Sequence, residues 1–308
     1  IMMYYFKKFI TKLLTFFFYE DVEKNLINSG KILSIKHLRF KKINNISNVE
    51  FRIFSQWGED GIIDWLINQV PNIPKNFIEI GTEDYKESNT RFLLINKNWD
   101  GILIEGNEED VKKIKRDRIY WKHNIKIINK FINLSNIDSI LNNLDLKKKI
   151  GLISLDIDGI DYWILKKLKK LKPVIFICEF NPIFGHKKII TVPYKKSFNR
   201  NKEHYSNSYF GTSIAAIQNL LKKDYLFVGS NSAGNNGFFI NKNYKRFFHN
   251  KIKNYIIFDS KYRENRNKKN KLTFFNKEES IQTIKNKKVL DIKKNKVFKI
   301  GELFGSKK

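Results

Sequence analysis

The chain has 308 residues, 42% of them hydrophobic, and a formal net charge of +28, which together predict one large domain with extensions. The charge comes mainly from lysine, whereas arginine, whose planar fork contacts bases and phosphates, is scarce, so we predict no nucleic-acid partner. Cys178 is the only cysteine, which excludes an intramolecular disulfide and a cysteine zinc site and fits a reducing, cytoplasmic compartment.

Residues 1–50 are predicted to form a helical N-terminal extension. The first twenty residues, "IMMYYFKKFITKLLTFFFYE", mix aromatic side chains with lysines, and Lys12 interrupts an apolar run that is too short to span a bilayer. No small-residue cleavage site follows, which argues against a secretory signal. This segment could contact the inner face of the membrane peripherally, or it could pack on the protein body or on a second copy of the chain. The oligomeric state also stays open.

Residues 51–250 alternate between apolar runs and helical patterns. The segment "FSQWGEDGIIDWLINQV" (54–70) predicts a turn leading into an amphipathic helix. Strands are expected at 77–80, 102–105, 119–121, 150–158 and 173–181, and helices at 90–96, 108–116, 137–144, 162–171 and 213–223. This alternation favours a parallel sheet with helices on both faces.

Three later segments depart from that alternation. Residues 181–210 are rich in Lys, Asn, Tyr and Ser, and we interpret this long stretch as a substrate lid. "YLFVGSNSAGNNGFFINKN" (225–243) has two apolar runs joined by a Gly/Asn/Ser turn, which indicates a hairpin. Residues 251–308 are dominated by Lys and Asn, and we expect a C-terminal appendage or a partly disordered tail.

Polar residues follow several of the predicted strands directly. In a doubly wound sheet, ligands bind beyond the carboxyl ends of the strands. The sequence has acidic residues at four such ends, and like charges gathered there repel unless a ligand, metal or proton compensates. These residues, with their polar neighbours, are Glu79, Gly81 and Thr82; Glu105; Asp156 and Asp158; and Glu179 and Asn181.

The turn after the first predicted strand disfavours a phosphorylated cofactor. Gly81 allows close approach of a ligand, and Glu105 follows at about the spacing of a ribose-binding acid in a nucleoside-binding βαβ unit. However, there is no G-x-G-x-x-G, and Glu83 and Glu87 occupy the turn, where they would repel a pyrophosphate. A cationic nucleoside without phosphate, S-adenosylmethionine, fits better.

Several motifs occur in the order found in a known enzyme family: "FSQWGEDG", "FIEIGTEDYKESNTRFL", "WDGILIEGN", "SLDIDGIDYWIL" and "VIFICEFNP". Over about residues 51–242 the chain resembles FkbM-like S-adenosylmethionine-dependent methyltransferases. The resemblance implies a Rossmann-like class I methyltransferase fold, with a doubly wound, mostly parallel seven-stranded sheet and an antiparallel last strand. It also implies O-methylation of a sugar or other secondary metabolite.

The resemblance implies roles for individual residues. Glu79, Gly81 and Thr82 would line the methionine part of the cofactor, and Glu105 would hold the ribose. Other implied contacts are Asn124 near the adenine, Asp156 and Asp158 facing the methyl group and substrate, and Ser55 and Gln56 closing over the cofactor. Ser55 and Gln56 would equally suit capping of the following helix.

Methyl transfer to an alcohol needs a group that takes the hydroxyl proton. Asp158 is our first candidate, followed by His186 and His204, which are equally well explained as exposed loop histidines. A divalent metal is an alternative that we do not favour, with Asp158, Glu179 and Asn181 as oxygen ligands. The basic residues of the predicted lid, among them Lys196 and Arg200, are better explained as a solvated loop than as a phosphate site.

The sequence thus predicts an O-methyltransferase acting on a small molecule or glycan, such as a sugar precursor of a surface polysaccharide or secondary metabolite. Two other classes stay open. One is a non-catalytic Rossmann-like scaffold. The other is a glycosyltransferase that uses Asp156-Ile157-Asp158 to hold a metal-bound nucleotide sugar.

Overall fold

The structure is a computed structural model and describes residues 2–144, 149–261 and 263–305. Its strands are β1 (Asn76–Ile80), β2 (Asp100–Glu105), β3 (Ile125–Asn129), β4 (Leu152–Leu155), β5 (Ile175–Glu179), β6 (Ile190–Thr191), β7 (Tyr225–Ser230), β8 (Asn236–Asn241), β9 (Lys288–Asp291) and β10 (Lys296–Lys299). Its α-helices are α1 (Met2–His37), α2 (Glu59–Gln69), α3 (Arg91–Lys97), α4 (Glu108–Arg116), α5 (Ile119–Lys122), α6 (Ile137–Asn142), α7 (Asp161–Leu168), α8 (Arg200–Glu203), α9 (Ile214–Leu221), α10 (Lys277–Thr283) and α11 (Ile300–Phe304).

Seven strands form one sheet in the order β3-β2-β1-β4-β5-β8-β7. Strand β8 runs antiparallel to both of its neighbours, while the pairs from β3 to β5 are parallel. Apolar clusters cover both faces of this sheet, as expected for strands that are buried on two sides. The predicted fold class, a doubly wound mostly parallel sheet whose last strand is antiparallel, is confirmed.

The third strand was expected at the wrong place. Residues 119–121 belong to the short helix α5, and β3 begins only at Ile125. Strand β3 lies at the edge of the sheet and alternates Ile125 and Ile127 with the exposed Lys126. A half-exposed edge strand gives a weaker apolar signal than a central one, which explains the error.

The C-terminal extension is structured in the part that the structure describes. Strand β9 pairs antiparallel with β10 and with β6, a two-residue strand inside the predicted lid. An apolar cluster joins the two segments, with Phe184 and Ile190 from the lid side and Ile284, Val289 and Ile300 from the extension. Residues 263–305 therefore do not form the partly disordered tail that the lysine and asparagine content suggested.

Helix α1 fills most of the predicted N-terminal extension and is attached to the sheet domain through buried polar contacts. Arg91, at the start of α3, is 1% exposed and forms ion pairs with Glu23 of α1 at 2.8 Å and with Asp117 at 3.0 Å. His37 and Asp64 form a second buried pair at 3.4 Å. No helix within the described ranges combines the length and the apolar character needed to cross a membrane.

The strand order reverses between β1 and β4, and this reversal positions the candidate site. Strand β1 pairs with β2 on one side and with β4 on the other, and the register sets Ile80 opposite Leu155. The turn after β1 therefore passes against Asp156. Gly81 begins that turn at φ +79°, and a Cβ at this position would lie 1.6 Å from the Asp156 carbonyl oxygen.

We predict that Gly81→Ala lowers the free energy of unfolding by more than about 3 kcal/mol, because it combines a left-handed backbone with a clash against main chain. Urea denaturation measures the change. Gly301→Ala is the matched control, because Gly301 lies in α11 and its nearest neighbour would be 3.3 Å from the added Cβ, so we expect a change below about 1 kcal/mol. A loss below about 1 kcal/mol for Gly81→Ala would contradict the argument.

Candidate active site

A cavity of about 700 Å³ lies at the carboxyl ends of the parallel strands, at the reversal between β1 and β4. This is the volume of a typical small-molecule site and the position at which doubly wound sheets bind ligands. Most of the residues proposed from the sequence line it: Gln56, Glu79, Gly81, Thr82, Glu105, Asp156, Asp158 and Glu179. The carboxylates that follow separate strands are therefore brought together at one rim.

Glu105, at the end of β2, holds the turn after β1. Its Oε2 accepts hydrogen bonds from the backbone N–H groups of Thr82 at 3.0 Å and Glu83 at 2.8 Å, and its Oε1 accepts from Asn107 at 2.7 Å. A carboxylate has about four lone-pair positions, so Oε1 retains capacity for one more donor. The backbone donors that a phosphate-binding turn would offer to a ligand are thus occupied by Glu105.

Glu79, the fourth residue of β1, is held by the segment that leads into α3. Its Oε2 accepts from Ser88 Oγ at 2.7 Å and from Thr90 Oγ1, and its Oε1 accepts from the Asn89 N–H at 3.0 Å. Burial raises the pKa of Glu79, and these hydrogen bonds oppose that shift. Glu79 lines the cavity, but its carboxylate mainly organises residues 88–90.

Asp158 follows β4 and is paired with a residue of the predicted lid. Its Oδ1 accepts from Arg200 Nη1 at 2.5 Å. The same guanidinium pairs with Glu264 at 3.0 Å and donates through Nε to the Asn207 carbonyl at 2.6 Å. It also lies 3.9 Å from the centre of the Phe210 ring. Arg200, which we had interpreted as part of a solvated loop, instead closes one wall of the cavity.

Asp156 follows β4, and Glu179 is the last residue of the neighbouring strand β5. Burial raises the pKa of both carboxyls well above the ordinary values. Repulsion from Asp158 adds to the shift in the pKa of Asp156, which a hydrogen bond with Glu179 opposes, and repulsion from Asp156 and Asp158 adds to the shift in the pKa of Glu179. Asp161 lies close by, and its two oxygens accept from the N–H groups of Ile157 and Gly159, both at 2.9 Å. Burial raises the pKa of Asp161 to about 6.

The two residues proposed to close over the cofactor lie in different places. Gln56 lines the cavity, and its Oε1 accepts from Trp57 Nε1 at 3.1 Å. Ser55 does not line the cavity. Its hydroxyl is fully buried, donates to Asp60 Oδ2 at 3.0 Å and accepts from the Asp60 N–H at 3.1 Å. Ser55 therefore stabilises the start of α2, which agrees with the alternative that it caps this helix.

Three other proposed residues lie away from the cavity, which corrects their assigned positions. Asn124 precedes β3, at the opposite end of the sheet from the site, because the third strand starts later than expected. His186 lies 3.9 Å from Asp259, and His204 bonds to Ser206 Oγ at 2.8 Å; neither lines the cavity. Both histidines lie on segments that face the C-terminal extension, which the sequence did not reveal.

The metal set considered from the sequence is not assembled. The Asn181 amide is fully buried, and its Nδ2 donates to the carbonyls of Ser208 and Phe210, both at 3.0 Å. Its Oδ1 accepts from the Ile183 N–H at 3.0 Å, so the side chain fixes the loop after β5. Asp158 is paired with Arg200. Of Asp158, Glu179 and Asn181, only Glu179 belongs to the carboxylate cluster.

The sequence analysis missed residues that follow the true third strand. Lys130, Phe131 and Ile132 line the cavity directly after β3, next to Gly106 at the end of β2. Phe131 is 74% exposed and offers an aromatic face beside Glu105's strand end. Correct placement of β3 would have identified them by the same strand-end rule. Phe198 and Asn199 of the lid and Asn236 of β8 also line the cavity.

Comparisons with known proteins give likeness of fold only. No family model and no curated protein matches the chain. Solved structures similar to it include an S-adenosylmethionine-dependent methyltransferase from Clostridium acetobutylicum ATCC 824, at 12% identity and TM-score 0.37, covering 59% of this chain and 89% of that one. An O-methyltransferase from Bacillus cereus in complex with SAH has 15% identity and TM-score 0.36, covering 57% and 78%. The PH0226 protein from Pyrococcus horikoshii OT3 has 12% identity and TM-score 0.35, covering 57% and 86%.

At TM-scores below 0.5 these likenesses carry no argument about function.

We predict that Thr90→Val lowers the free energy of unfolding by about 1–3 kcal/mol at pH 7.5, because it removes a donor from the buried Glu79 carboxylate and a partner from the buried Tyr85 hydroxyl. The loss of a donor raises the pKa of Glu79 further, so the added cost exists only where Glu79 is ionised in the unfolded chain. The difference from wild type should therefore shrink as the pH falls to 4.5, the ordinary pKa of glutamate.

Thr283→Val is the control for this measurement. The Thr283 hydroxyl donates to the Glu279 carbonyl in the preceding turn of α10, in an exposed setting, so we expect a change below about 0.5 kcal/mol that does not depend on pH. Urea denaturation at several pH values provides both data sets. Equal, pH-independent losses in the two variants would show that Thr90 does not act through the Glu79 charge.

Proposed function

We propose that the chain is an S-adenosylmethionine-dependent methyltransferase that methylates a hydroxyl group of a sugar or glycan precursor. The observation that carries this proposal is the occupation of the backbone donors of the turn after β1 by Glu105. A turn of this kind offers no N–H cradle to a pyrophosphate, and the carboxylates around it favour a cationic ligand. A nucleoside with a sulfonium and an ammonium, and without phosphate, meets both conditions.

The residues around the cavity fit such a nucleoside. Glu105 keeps one acceptor position on Oε1, which suits one ribose hydroxyl rather than a bidentate diol contact. Phe131, Ile104 and Ile132 provide apolar surface next to Glu105 for an adenine ring. The methionine part of the cofactor would lie beside Gly81 and Thr82, between β1 and β4.

The acceptor would enter from the lid. Lys196, Ser197, Asn199, Arg200 and Glu264 line this side of the cavity, and their many donors and acceptors suit a molecule rich in hydroxyl groups. This polar wall, together with the resemblance of the motifs, supports a sugar acceptor. The chain's excess of lysine does not identify a charged group on it.

When bound, the cofactor supplies a methyl group on a positively charged sulfur, which is transferred by direct displacement. The chain's own part is to align the acceptor hydroxyl and to take its proton. Asp158 is the proposed proton acceptor, because its carboxylate lines the cavity beside the lid and Arg200 holds its Oδ1 in place. The negative rim around the cavity would stabilise the cationic cofactor.

Calorimetry with S-adenosylhomocysteine tests the cofactor assignment. We expect binding to the wild-type chain and no response to UDP-glucose or UDP-galactose. Phe131→Ala should weaken that binding by about 1–3 kcal/mol, the range for loss of a base-stacking aromatic. Trp121→Ala is the matched control, because Trp121 is 73% exposed and lies outside the cavity.

Two results would count against the assignment. Binding of neither ligand would favour a non-catalytic scaffold, and binding of a UDP-sugar alone would favour a glycosyltransferase. Equal affinities for the Phe131 and Trp121 variants would remove the aromatic face from the nucleoside site while leaving the cofactor class intact.

Asp158→Ala should abolish methyl transfer and leave the affinity for S-adenosylhomocysteine within about twofold, because the side chain acts on the acceptor. The measurement is a screen of cell-extracted sugar nucleotides and lipid-linked glycans with methyl-labelled cofactor, followed by turnover of the labelled acceptor. His204→Ala serves as a control that removes a titratable lid residue outside the cavity. Retained turnover in Asp158→Ala would exclude it as the proton acceptor.

A further inference from the structure

Three polar side chains stand in a row across neighbouring strands at the rim of the cavity. The parallel register pairs Leu155 with Cys178, so the next residues, Asp156 and Glu179, are adjacent. The antiparallel register pairs Glu179 with Asn236 of β8. Directly opposed residues on neighbouring strands project from the same face of a sheet. Asp156, Glu179 and Asn236 all line the cavity, as this register requires.

A third carboxylate completes the group. Oxygen atoms of Asp156, Asp161 and Glu179 all lie within 4.8 Å of one another. Two oxygens that ligate one Mg²⁺, Mn²⁺ or Ca²⁺ ion at about 2.0–2.6 Å can be separated by at most about 4–5 Å. The spacing of the three carboxylates is therefore compatible with a single ion. The N–H groups of Ile157 and Gly159 orient Asp161, as outer-shell donors orient metal ligands.

The charge of this group is not compensated as it is elsewhere in the site. Glu79 and Glu105 each accept three hydrogen bonds from hydroxyl or backbone donors, and Asp158 is paired with Arg200. Arg200, the cation that acts on Asp156 and Glu179, forms ion pairs with Asp158 and Glu264 as well. Buried like charges in this arrangement require a cation or a shared proton.

Asn236 supplies an independent observation. Its Nδ2 donates to Glu59 Oε1 at 2.9 Å, which fixes the orientation of the amide. Its Oδ1 is buried and has no hydrogen-bond partner within the described part of the chain, although the residue is only 5% exposed and stands beside Glu179. An unsatisfied buried carbonyl oxygen is costly, and one on a residue that lines the cavity next to the Glu179 carboxylate is suited to a cation rather than to a further acceptor.

We propose that Asp156, Asp161, Glu179 and the Asn236 amide oxygen form a binding site for one divalent cation of the oxygen-preferring class, Mg²⁺, Mn²⁺ or Ca²⁺. The ion lies at the ends of β4, β5 and β8, on the lid side of the cavity. There it neutralises the carboxylates and presents open coordination positions to an acceptor hydroxyl. This site differs from the set of Asp158, Glu179 and Asn181 in all but one residue.

The test uses the full chain, treated with chelator and titrated with MgCl₂, MnCl₂ or CaCl₂ alone. Calorimetry should give one equivalent of at least one of these ions, with a rise in Tm on its addition. Asp156→Asn and Glu179→Gln should each weaken binding at least tenfold. Glu83→Gln should stay within about twofold, because Glu83 lines the same cavity but lies outside the row.

A variant that is expected to bind the ion more tightly provides a second test if the Asp156→Asn and Glu179→Gln variants fold poorly. Asn236→Asp adds a carboxylate to the row, so it should bind the ion more tightly and show a larger rise in Tm on adding Mn²⁺. The proposal is overturned if none of the three ions binds the wild-type chain. It is also overturned if the affinity persists in the Asp156→Asn, Glu179→Gln double variant, because the ion would then bind elsewhere on the chain.

Ion binding is measured without any nucleoside, so its outcome is separate from that of the proposed function. A chain that binds an ion and not S-adenosylhomocysteine would retain this site and lose the methyltransferase assignment. A chain that binds S-adenosylhomocysteine and none of the three ions would retain the assignment and lose the ion.

Discussion

Glu79 and Glu105 can be buried at the ends of β1 and β2 because the segment after β1 turns its donors towards them. Glu105 takes the N–H groups of Thr82 and Glu83, and Glu79 takes two hydroxyls and an N–H a few residues later. The segment consequently adopts backbone conformations that L-residues rarely adopt, with φ +46° at Glu83 and +60° at Tyr85. Such strain persists where the surroundings over-determine it, and here the two carboxylates do so.

The same arrangement decides which ligands the cavity can take. In a glycine-rich phosphate loop, the backbone N–H groups and the helix that follows point at the ligand. Here the corresponding N–H groups, those of Thr82 and Glu83, donate to the chain's own Glu105 carboxylate. The remaining acidic groups repel an anionic ligand. The electrostatics of the rim therefore select for cations, although the chain as a whole carries a net charge of +28. Net charge describes the solvated surface, and the cavity has the opposite sign.

The strand-end rule explains how much of the site the sequence could reveal. Parallel strands bring their carboxyl ends to one edge, so polar residues at the ends of correctly placed strands were expected at the cavity, and Glu79, Glu105 and Asp156 line it. The rule failed where the third strand was misplaced, because Asn124 was then proposed as the residue after that strand instead of Phe131. It gave no information on loops, because the positions of His186 and His204 depend on contacts with the C-terminal extension.

Arg200 illustrates a second limit. In a chain with 59 Lys and Arg residues, composition gave no reason to separate one cation of the lid from the others. Its role depends on contacts with two distant segments, Asp158 after β4 and Glu264 in the C-terminal extension, and on a hydrogen bond to the nearby Asn207 carbonyl. Long-range pairing of this kind follows from tertiary structure and has no local sequence pattern.

The C-terminal extension restricts where the lid can move. Strand β6 is hydrogen-bonded to β9, and Thr191 also bridges to Thr212 ahead of α9, so the middle of the lid is fixed on two sides. Residues 196–200, in contrast, line the cavity and are joined to the sheet domain by the packing of Phe198 on an apolar cluster and by the Arg200–Asp158 pair, in which the Asp158 side chain is 49% exposed. Opening for an acceptor therefore costs least at this pair, since a partly exposed ion pair is weak compared with a paired and packed strand. The ion pair that positions the proposed proton acceptor is thus also the contact most easily broken when an acceptor enters.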